Sequence, residues 1–277
     1  MDGPDTVFGV DFSGAKEAGK KIWIAEIDCT GDEPELIGCN PATECFGTKK
    51  RDPTLRELTK YLAGLTPNAV TGLDFPFALP QQIVGVDDWE TFLLEFPGAF
   101  ASPSEFRRRC QARGSRLDEG KVEYKRRIEE EHDGLAAYNY MLYKQTFYGI
   151  RDVLRPLVLS DSVRVPPMQE PDDDRERPTV LETYPAGVLN DLDTDESTRE
   201  NYKKDTDESR KKREKNLDAL ETKIELTIDD DLRNRLLNDS EGDALDAVIA
   251  AGGVLRAAEN DFAYDDDYDE QEGYIYV

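Results

Sequence analysis

Four carboxylates stand at points of this sequence where a charged side chain is costly. Asp11, Asp74 and Glu182 each end a short apolar run that predicts a buried strand. Asp246 lies in the first turns of an alanine-rich segment that predicts a helix. An isolated buried charge is expensive unless it is paired or binds a metal. If the four groups converge from strand ends and a helix start, they form a site for a divalent cation.

Carboxylate oxygens of this kind suit Mg²⁺ or Mn²⁺, and two-metal phosphoryl-transfer sites need little else. In such sites one ion activates water while both ions stabilise the charge that develops on phosphorus. A histidine-centred triad is disfavoured because His132 is the only histidine in the sequence. The cysteines show no paired spacing, so no zinc-ligand pattern can be assembled from Cys29, Cys39, Cys45 and Cys110.

Each acid also has a purely structural interpretation. Asp11 and Asp74 could each start a turn, which is a common role of aspartate. Asp243 fits a capping box with Ser240 at the start of the alanine-rich helix. Asp246 lies three residues further on, beyond the cap and on the same helical face. Three strand-end acids together with one helix acid favour the metal site over a set of independent turns and caps.

The elements that must position these acids are strands and helices in alternation. Apolar runs predict strands at 7–11, 21–28, 34–38, 69–74 and 179–184. The first three follow one another closely and predict an antiparallel meander. A leucine stripe predicts a helix from Asp52 to Leu65, so the fourth strand returns parallel to the first. The pattern is that of an α/β domain.

Residues 82–175 differ from the rest because they contain little strand pattern and several helical stretches. We interpret them as a mostly helical insertion whose clearest helix covers residues 135–154. Further helices are predicted at 210–225, 229–238 and 243–259. We expect residues 1–277 to form a single domain that contains this insertion.

The chain is strongly acidic, with a formal charge of −25 and a sequence pI near 4.4. Because the acids are spread along the whole chain, the composition resembles that of proteins from salt-accumulating haloarchaea. An ordinary acidic cytosolic enzyme is the alternative. In molar salt the Debye length is about 3 Å, so only close contacts count. The global charge therefore neither excludes nor supports a nucleic-acid substrate.

The sequence also predicts a cytoplasmic protein. No leader precedes the first predicted strand at Val7, and no apolar stretch approaches the ~20 residues that span a bilayer. We expect reduced cysteines and no membrane partner.

Five short blocks carry a resemblance to a known family. They are Gly9–Lys16 (GVDFSGAK), Gly72–Phe77 (GLDFPF), Glu182–Ala186 (ETYPA), Asp243–Ala247 (DALDA) and Glu272–Ile275 (EGYI). In this order they resemble the signature blocks of domain-of-unknown-function family 429, whose members are predicted nucleases with a ribonuclease H-like fold. The blocks bracket nearly the whole chain.

The resemblance implies a ribonuclease H-like, mixed five-stranded sheet with flanking helices and with Asp11 on the central first strand. It also implies that Mg²⁺ or Mn²⁺ is held by Asp11, Asp74, Glu182 and Asp246, with Asp243 as a substitute or helper. Asp11 would bridge two ions, and Asp246 would anchor the second ion or orient water. The long insertion between the second and third acids departs from the family pattern and leaves the substrate contacts open.

A basic stretch at residues 107–127 contrasts with the acidic chain. It holds nine basic residues against three acids (Asp118, Glu119 and Glu123), a net charge of +6. Such a patch beside a metal site suits a phosphodiester substrate. The alternative is a solvated helix whose charges pair locally, helped by the acids at 129–131. We expect substrate contacts from Lys16, Arg107, Arg108, Arg113 and Lys144, the last lying with Gln145 and Tyr148 on one side of the predicted 135–154 helix.

These observations predict a metal-dependent phosphodiesterase that acts on DNA or RNA. One alternative is an actin-like phosphotransferase, in which the loop at 12–16 would wrap a phosphate. That class needs a second glycine-rich loop after a later strand, and the sequence contains none. Another alternative is a non-catalytic module that binds nucleic acid through residues 107–127. The oligomeric state is not predicted.

Overall fold

The architecture is that of a computed structural model, which describes residues 3–86, 88–118, 120–169, 176–192, 194, 196–264 and 268–277. Within these ranges, six strands form one mixed sheet in the order β5-β4-β1-β2-β3-β6. The strands are β1 (Thr6–Asp11), β2 (Trp23–Asp28), β3 (Glu35–Pro41), β4 (Ala69–Asp74), β5 (Thr179–Glu182) and β6 (Thr227–Ile228). The prediction of five strands was wrong by one. A two-residue strand has too little sequence to carry a pattern.

The predicted pairing of the first four strands is confirmed. Strands β1, β2 and β3 form the antiparallel meander, and β4 lies parallel to β1 on its other side. Strand β5 extends the parallel part of the sheet beyond β4. On the other side of the sheet, β6 is the outermost strand and lies parallel to β3. As a result, the C-terminal ends of β1, β4 and β5 lie side by side at the same edge of the sheet.

Helices cover both faces of the sheet and build the insertion. In chain order they are α1 (Ala42–Phe46), α2 (Arg51–Ala63), α3 (Gln81–Val84), α4 (Trp89–Ala99), α5 (Pro103–Leu117), α6 (Arg127–Glu131), α7 (Tyr143–Gly149), α8 (Arg155–Leu159), α9 (Pro185–Asp191), α10 (Glu196–Arg199), α11 (Asp207–Lys223), α12 (Asp230–Asn238) and α13 (Asp243–Glu259). Within the described part of the chain, no helix combines the length and the apolar character that crossing a bilayer requires.

Helix α13 packs directly on the centre of the sheet. It is buried along almost its whole length, as its alanine-rich sequence predicts. A glycine in β1 allows this close approach. A Cβ atom at Gly9 would lie 2.0 Å from the carbonyl oxygen of Ala247 and 2.4 Å from the backbone nitrogen of Ala251. Because Gly9 has no side chain, α13 lies directly against β1, and the first turn of the helix lies beside the end of the strand.

The two faces of the sheet have separate hydrophobic cores. One face packs against α2 and the helical insertion, and this core contains a network of aromatic side chains, among them Phe75, Phe96, Phe106 and Phe147. The other face packs against α9, α11, α12 and α13 with mostly aliphatic side chains. The four predicted acids, Asp11, Asp74, Glu182 and Asp246, lie between these two cores, at the edge where the parallel strands end.

The predicted insertion at 82–175 contains helices α4 to α8, the last of which ends at Leu159, and residues 87, 119 and 170–175 lie outside the described part of the chain. Its clearest predicted helix was wrong at both ends. It begins at Tyr143 rather than Leu135, and it continues through a π-helical turn (Ile150–Leu154) into α8. The Asn139 side chain accepts a hydrogen bond from the backbone of Met141 at 3.0 Å, which favours a turn over a helix. Pro156 follows directly on the π-helical turn, and the carbonyl of Asp152, four residues before it, accepts a hydrogen bond from the hydroxyl of Thr59 at 3.0 Å instead.

Candidate metal centre

Three aspartates meet at the edge of the sheet where β1 and β4 end. The parallel register pairs Asp11 directly with Asp74, and the first turn of α13 adds Asp246. One carboxylate oxygen from each of the three lies within 4.8 Å of the others. Asp11 and Asp246 are buried, and Asp74 is partly exposed to the cleft. We call this set the aspartate group.

Two side chains from the segment between α10 and α11 contact the group through Asp246. The hydroxyl of Tyr202 donates to Oδ1 of Asp246 at 2.6 Å, and the ammonium of Lys203 donates to its Oδ2. The body of Tyr202 is buried, whereas the side chain of Lys203 keeps about half of its surface exposed to the cleft. Three carboxylates thus share one ammonium among the contacts of the described residues.

This imbalance of charge shifts the protonation of the group. Burial, and then the charge of Asp246, raise the pKa of Asp11 well above its usual value, while Lys203 partly opposes the shift. The same two causes raise the pKa of Asp74 to about 8. Buried carboxylates that repel one another in this way are relieved by a divalent cation. The donor set, three oxygen ligands with excess negative charge, fits Mg²⁺ or Mn²⁺.

Asp243 lies near the aspartate group but is not part of it. Its carboxylate is 3.5 Å from the ammonium of Lys21. Burial raises the pKa of Asp243 to about 6, an effect that Lys21 opposes. The capping box with Ser240 is not formed, because Gly242 is the N-cap and Asp239 accepts a hydrogen bond from the backbone of Ala244 at 2.8 Å.

The fourth predicted ligand, Glu182, faces a different cation. Both of its carboxylate oxygens accept hydrogen bonds from the guanidinium of Arg126, and Oε2 also accepts from the backbone of Phe77 at 2.8 Å. Arg126 is fully buried and also donates to Glu129 at 2.9 Å and to the carbonyl of Glu272 at 2.9 Å. We call Arg126, Glu129 and Glu182 the arginine group. The carboxylate of Glu182 therefore does not join the aspartate group.

Both groups line one cleft with a volume of about 750 Å³. Its charged lining, taken over the described residues, comprises Asp11, Asp74, Glu129, Glu182, Asp243 and Asp246 together with Lys21, Arg126, Arg199, Lys203 and Lys204. Apolar side chains such as Leu135, Leu142 and Ile275 complete the walls. This volume lies within the range of ligand-binding clefts, about 300–1,000 Å³.

A comparison with known families decides the affiliation of the chain. Residues 9–268 match the family described as "Protein of unknown function (DUF429)". The chain belongs to this family. No curated protein and no solved structure matches it. Membership of the family, which the sequence blocks predict, is thereby confirmed; the match includes all four of the predicted acids, and only the block Glu272–Ile275 lies beyond it.

None of the predicted substrate contacts is among the described residues that line the cleft. Lys16 is exposed. Arg108 lies 3.9 Å from Glu105, and Arg113 donates to the carbonyls at the end of α3. Arg107 and Lys144 both lie near the ring of Tyr143.

Gln145, the neighbour of Lys144, does reach the site. It lines the cleft, and its side-chain amide donates to the backbone carbonyl of Asp74. The helix that carries Lys144 and Gln145 therefore contributes a neutral donor to the site and no cation.

Sequence reasoning missed two residues that contact the aspartate group, Tyr202 and Lys203. They lie in a charged segment between α10 and α11 that has no periodicity, and many other lysines of the chain have a similar neighbourhood. Arg126 was predicted only as one of nine cations in a basic stretch. A stretch of arginines at 107–127 does not indicate which of them pairs with a glutamate far along the chain.

Proposed function

We propose that this DUF429 protein is a metal-dependent hydrolase of phosphodiester bonds in nucleic acid, built on a ribonuclease H-like fold. The observation that carries the proposal is the aspartate group, in which carboxylate oxygens from two adjacent parallel strand ends and one helix lie within 4.8 Å of one another. Hard oxygen ligands with excess negative charge are the donor set of phosphoryl-transfer metal sites.

The sheet supports the ribonuclease H-like part of the proposal. Three long antiparallel strands are followed by two parallel ones, with β1 at the junction and Asp11 at its end. A helix with an acidic first turn packs across β1 and supplies Asp246. The family resemblance implies the same arrangement of a central strand acid, a neighbouring strand acid and a helix acid.

Asp11, Asp74 and Asp246 would hold Mg²⁺ or Mn²⁺, and the ion would supply an activated water and stabilise negative charge on the phosphate. Arg199 lines the same cleft and would bind the phosphodiester backbone, whose affinity for proteins depends mainly on such charges. The arginine group stabilises part of the cleft lining, because Arg126 of the insertion binds Glu182 at the end of β5 and the carbonyl of Glu272 in the C-terminal segment.

The two alternatives have less support from the contacts of the described residues. In the loop at 12–16, a Cβ atom at Gly14 would lie 2.5 Å from the carbonyl oxygen of Lys144. Close packing accounts for this glycine without a phosphate, which weakens the phosphotransferase alternative. The binding-module alternative depends on the basic stretch at 107–127. In this stretch, Arg113 donates to backbone carbonyls and Arg126 pairs with two glutamates.

The test is a cleavage assay of the purified chain with Mn²⁺ or Mg²⁺ on single-stranded and double-stranded DNA, RNA and branched DNA, from low to molar KCl. We expect cleavage that chelation abolishes and that Asp11→Asn reduces by at least about a thousandfold. Asp28→Asn is the matched control, since Asp28 ends β2 at the opposite edge of the sheet. Absence of cleavage under all conditions, or full activity of Asp11→Asn, would contradict the proposal.

A further inference from the structure

A lysine ammonium lies within the aspartate group itself. Lys203 donates to Oδ2 of Asp246, and one carboxylate oxygen of Asp246 lies within 4.8 Å of oxygens of Asp11 and Asp74. When all three carboxylates are ionised, the ammonium of Lys203 leaves them with two uncompensated negative charges, which one divalent ion balances. We propose that Lys203 takes the place of a second metal ion and that the aspartate group binds a single divalent ion. This inference rests on the proposed function and specifies its ion count.

The position of Lys203 is fixed by the backbone on both sides of it. A guanidinium nitrogen of Arg213 donates to the carbonyl of Tyr202 at 2.6 Å and to the carbonyl of Lys204 at 3.2 Å. Arg213 is itself buried and also donates to the carbonyl of Leu237 at 3.1 Å. A buried arginine that binds the two carbonyls flanking a lysine is an anchor for that lysine, which distinguishes Lys203 from a surface side chain that contacts an acid by chance.

The start of helix α13 is shaped to receive the same segment. Gly242 caps this helix with φ +75°, and a Cβ atom at this position would lie 2.9 Å from Cγ of Lys203 and 3.3 Å from the ring of Tyr202. A side chain at residue 242 would therefore displace the lysine from Asp246. The hydroxyl of Tyr202 holds the other oxygen of Asp246, which leaves the carboxylate oriented for both contacts.

A second ion would need a further carboxylate, and the nearby candidates have partners. Paired ions about 3.5–4 Å apart share one carboxylate and take others individually. Glu182 uses both oxygens for Arg126, and Asp243 lies against Lys21. Since Arg126 is fully buried, releasing Glu182 would leave an unpaired guanidinium in the interior. The described contacts thus provide ligands for one ion and an ammonium beside it.

The test counts Mn²⁺ ions bound to the full-length protein by calorimetry and by electron paramagnetic resonance of the free ion. We expect one ion per chain in the wild type, and none at this site in Asp11→Asn. In Lys203→Met we expect Mn²⁺ to bind at least about tenfold more tightly, because a competing unit charge close to the ion has been removed. Lys203→Arg keeps the charge and should keep one ion at near wild-type affinity.

Lys204→Met is the matched control. Lys204 follows Lys203 and lines the same cleft, but its ammonium donates to the side chain of Asn201 at 2.8 Å rather than to an acid. The affinity of the Lys204→Met variant for Mn²⁺ should therefore stay within about twofold of the wild-type affinity. Thermal unfolding of each variant, with and without Mn²⁺, verifies that it folds.

Two ions per wild-type chain, or unchanged affinity in a folded Lys203→Met variant, would overturn the inference about Lys203 and leave the proposed function standing. No binding of Mn²⁺ to the wild type would overturn both. The count in the wild type needs no substitution, so this part of the test does not depend on how well any variant folds.

Discussion

The aspartate group and the arginine group line the same cleft, yet their charges are handled in opposite ways. In the arginine group, a fully buried guanidinium binds both oxygens of Glu182 and one of Glu129. In the aspartate group, three carboxylates share the ammonium of Lys203. A buried acid whose oxygens are all paired is a structural element, whereas unbalanced acids at a cleft favour the binding of a cation.

Removal of the central cation should therefore have different consequences in the two groups. Arg126→Met leaves Glu182 and Glu129 buried without their partner, and we expect a loss of about 3–5 kcal/mol in the free energy of unfolding. Denaturant-induced unfolding of the wild type and the variant measures this loss of stability. Arg127→Met is the matched control, because this neighbouring arginine makes an exposed pair with Glu131, and it should cost less than about 1 kcal/mol.

The same experiment sharpens the comparison when Mn²⁺ is added. The ion should stabilise the wild type through the aspartate group, but it should not restore the stability that Arg126→Met has lost. Recovery of Arg126→Met to wild-type stability in Mn²⁺ would show that Glu182 takes part in binding the ion, and the division into two groups would then be wrong.

The aspartate group depends on the contact between α13 and β1, while the arginine group does not. A Cβ atom at Gly9 would lie 2.0 Å from a carbonyl oxygen of α13, so Gly9→Ala must push the helix away from the strand. We expect a loss of about 2–3 kcal/mol in unfolding free energy and at least about tenfold weaker Mn²⁺ binding. In β3, Gly38→Ala is the control, because the nearest atom would be 3.6 Å away. Equal effects of the two substitutions would contradict this account.

The unbalanced acids should also give the ion-free protein a characteristic pH dependence. The pKa of Asp11 and that of Asp74, which rises to about 8, lie above their values in the unfolded chain. The folded state therefore binds more protons, and its stability falls as the pH rises from about 5 to 8. We expect Asp74→Asn to remove on the order of 1 kcal/mol of this fall.

Chemical unfolding with a chelator present, repeated at several pH values, measures the slope. Asp28→Asn is the control, because hydrogen bonds from Thr30 lower the pKa of Asp28 and its titration is complete below this range. Saturating Mn²⁺ should flatten the slope, since the ion favours the ionised carboxylates. A slope that Asp74→Asn leaves unchanged would mean that other groups cause it.

Sequence reasoning predicted the aspartate group because its geometry follows from local rules. Asp11 and Asp74 end apolar runs, and parallel strands joined by a crossover helix end at the same edge of a sheet. Asp246 lies in the first turn of a helix that is buried on nearly every side. In each case the backbone element brings the residue to the cleft.

The arginine group and Lys203 depend on contacts that no local pattern encodes. Arg126 meets Glu182 across 56 positions of sequence, and Lys203 meets Asp246 across 43. Both cations precede their acids in segments without periodicity. The start of α7 was mispredicted for a different reason, because the side chain of Asn139 stabilises a local turn in an otherwise helical sequence.

The central claim is that Asp11, Asp74 and Asp246 bind a divalent cation together. An anomalous difference map from crystals grown with Mn²⁺ tests it most directly. The account predicts one peak about 2.0–2.6 Å from a carboxylate oxygen of each aspartate, with Glu182 still bound to Arg126. A map with no peak among the three aspartates, in crystals that hold Mn²⁺ on other acids, would contradict it.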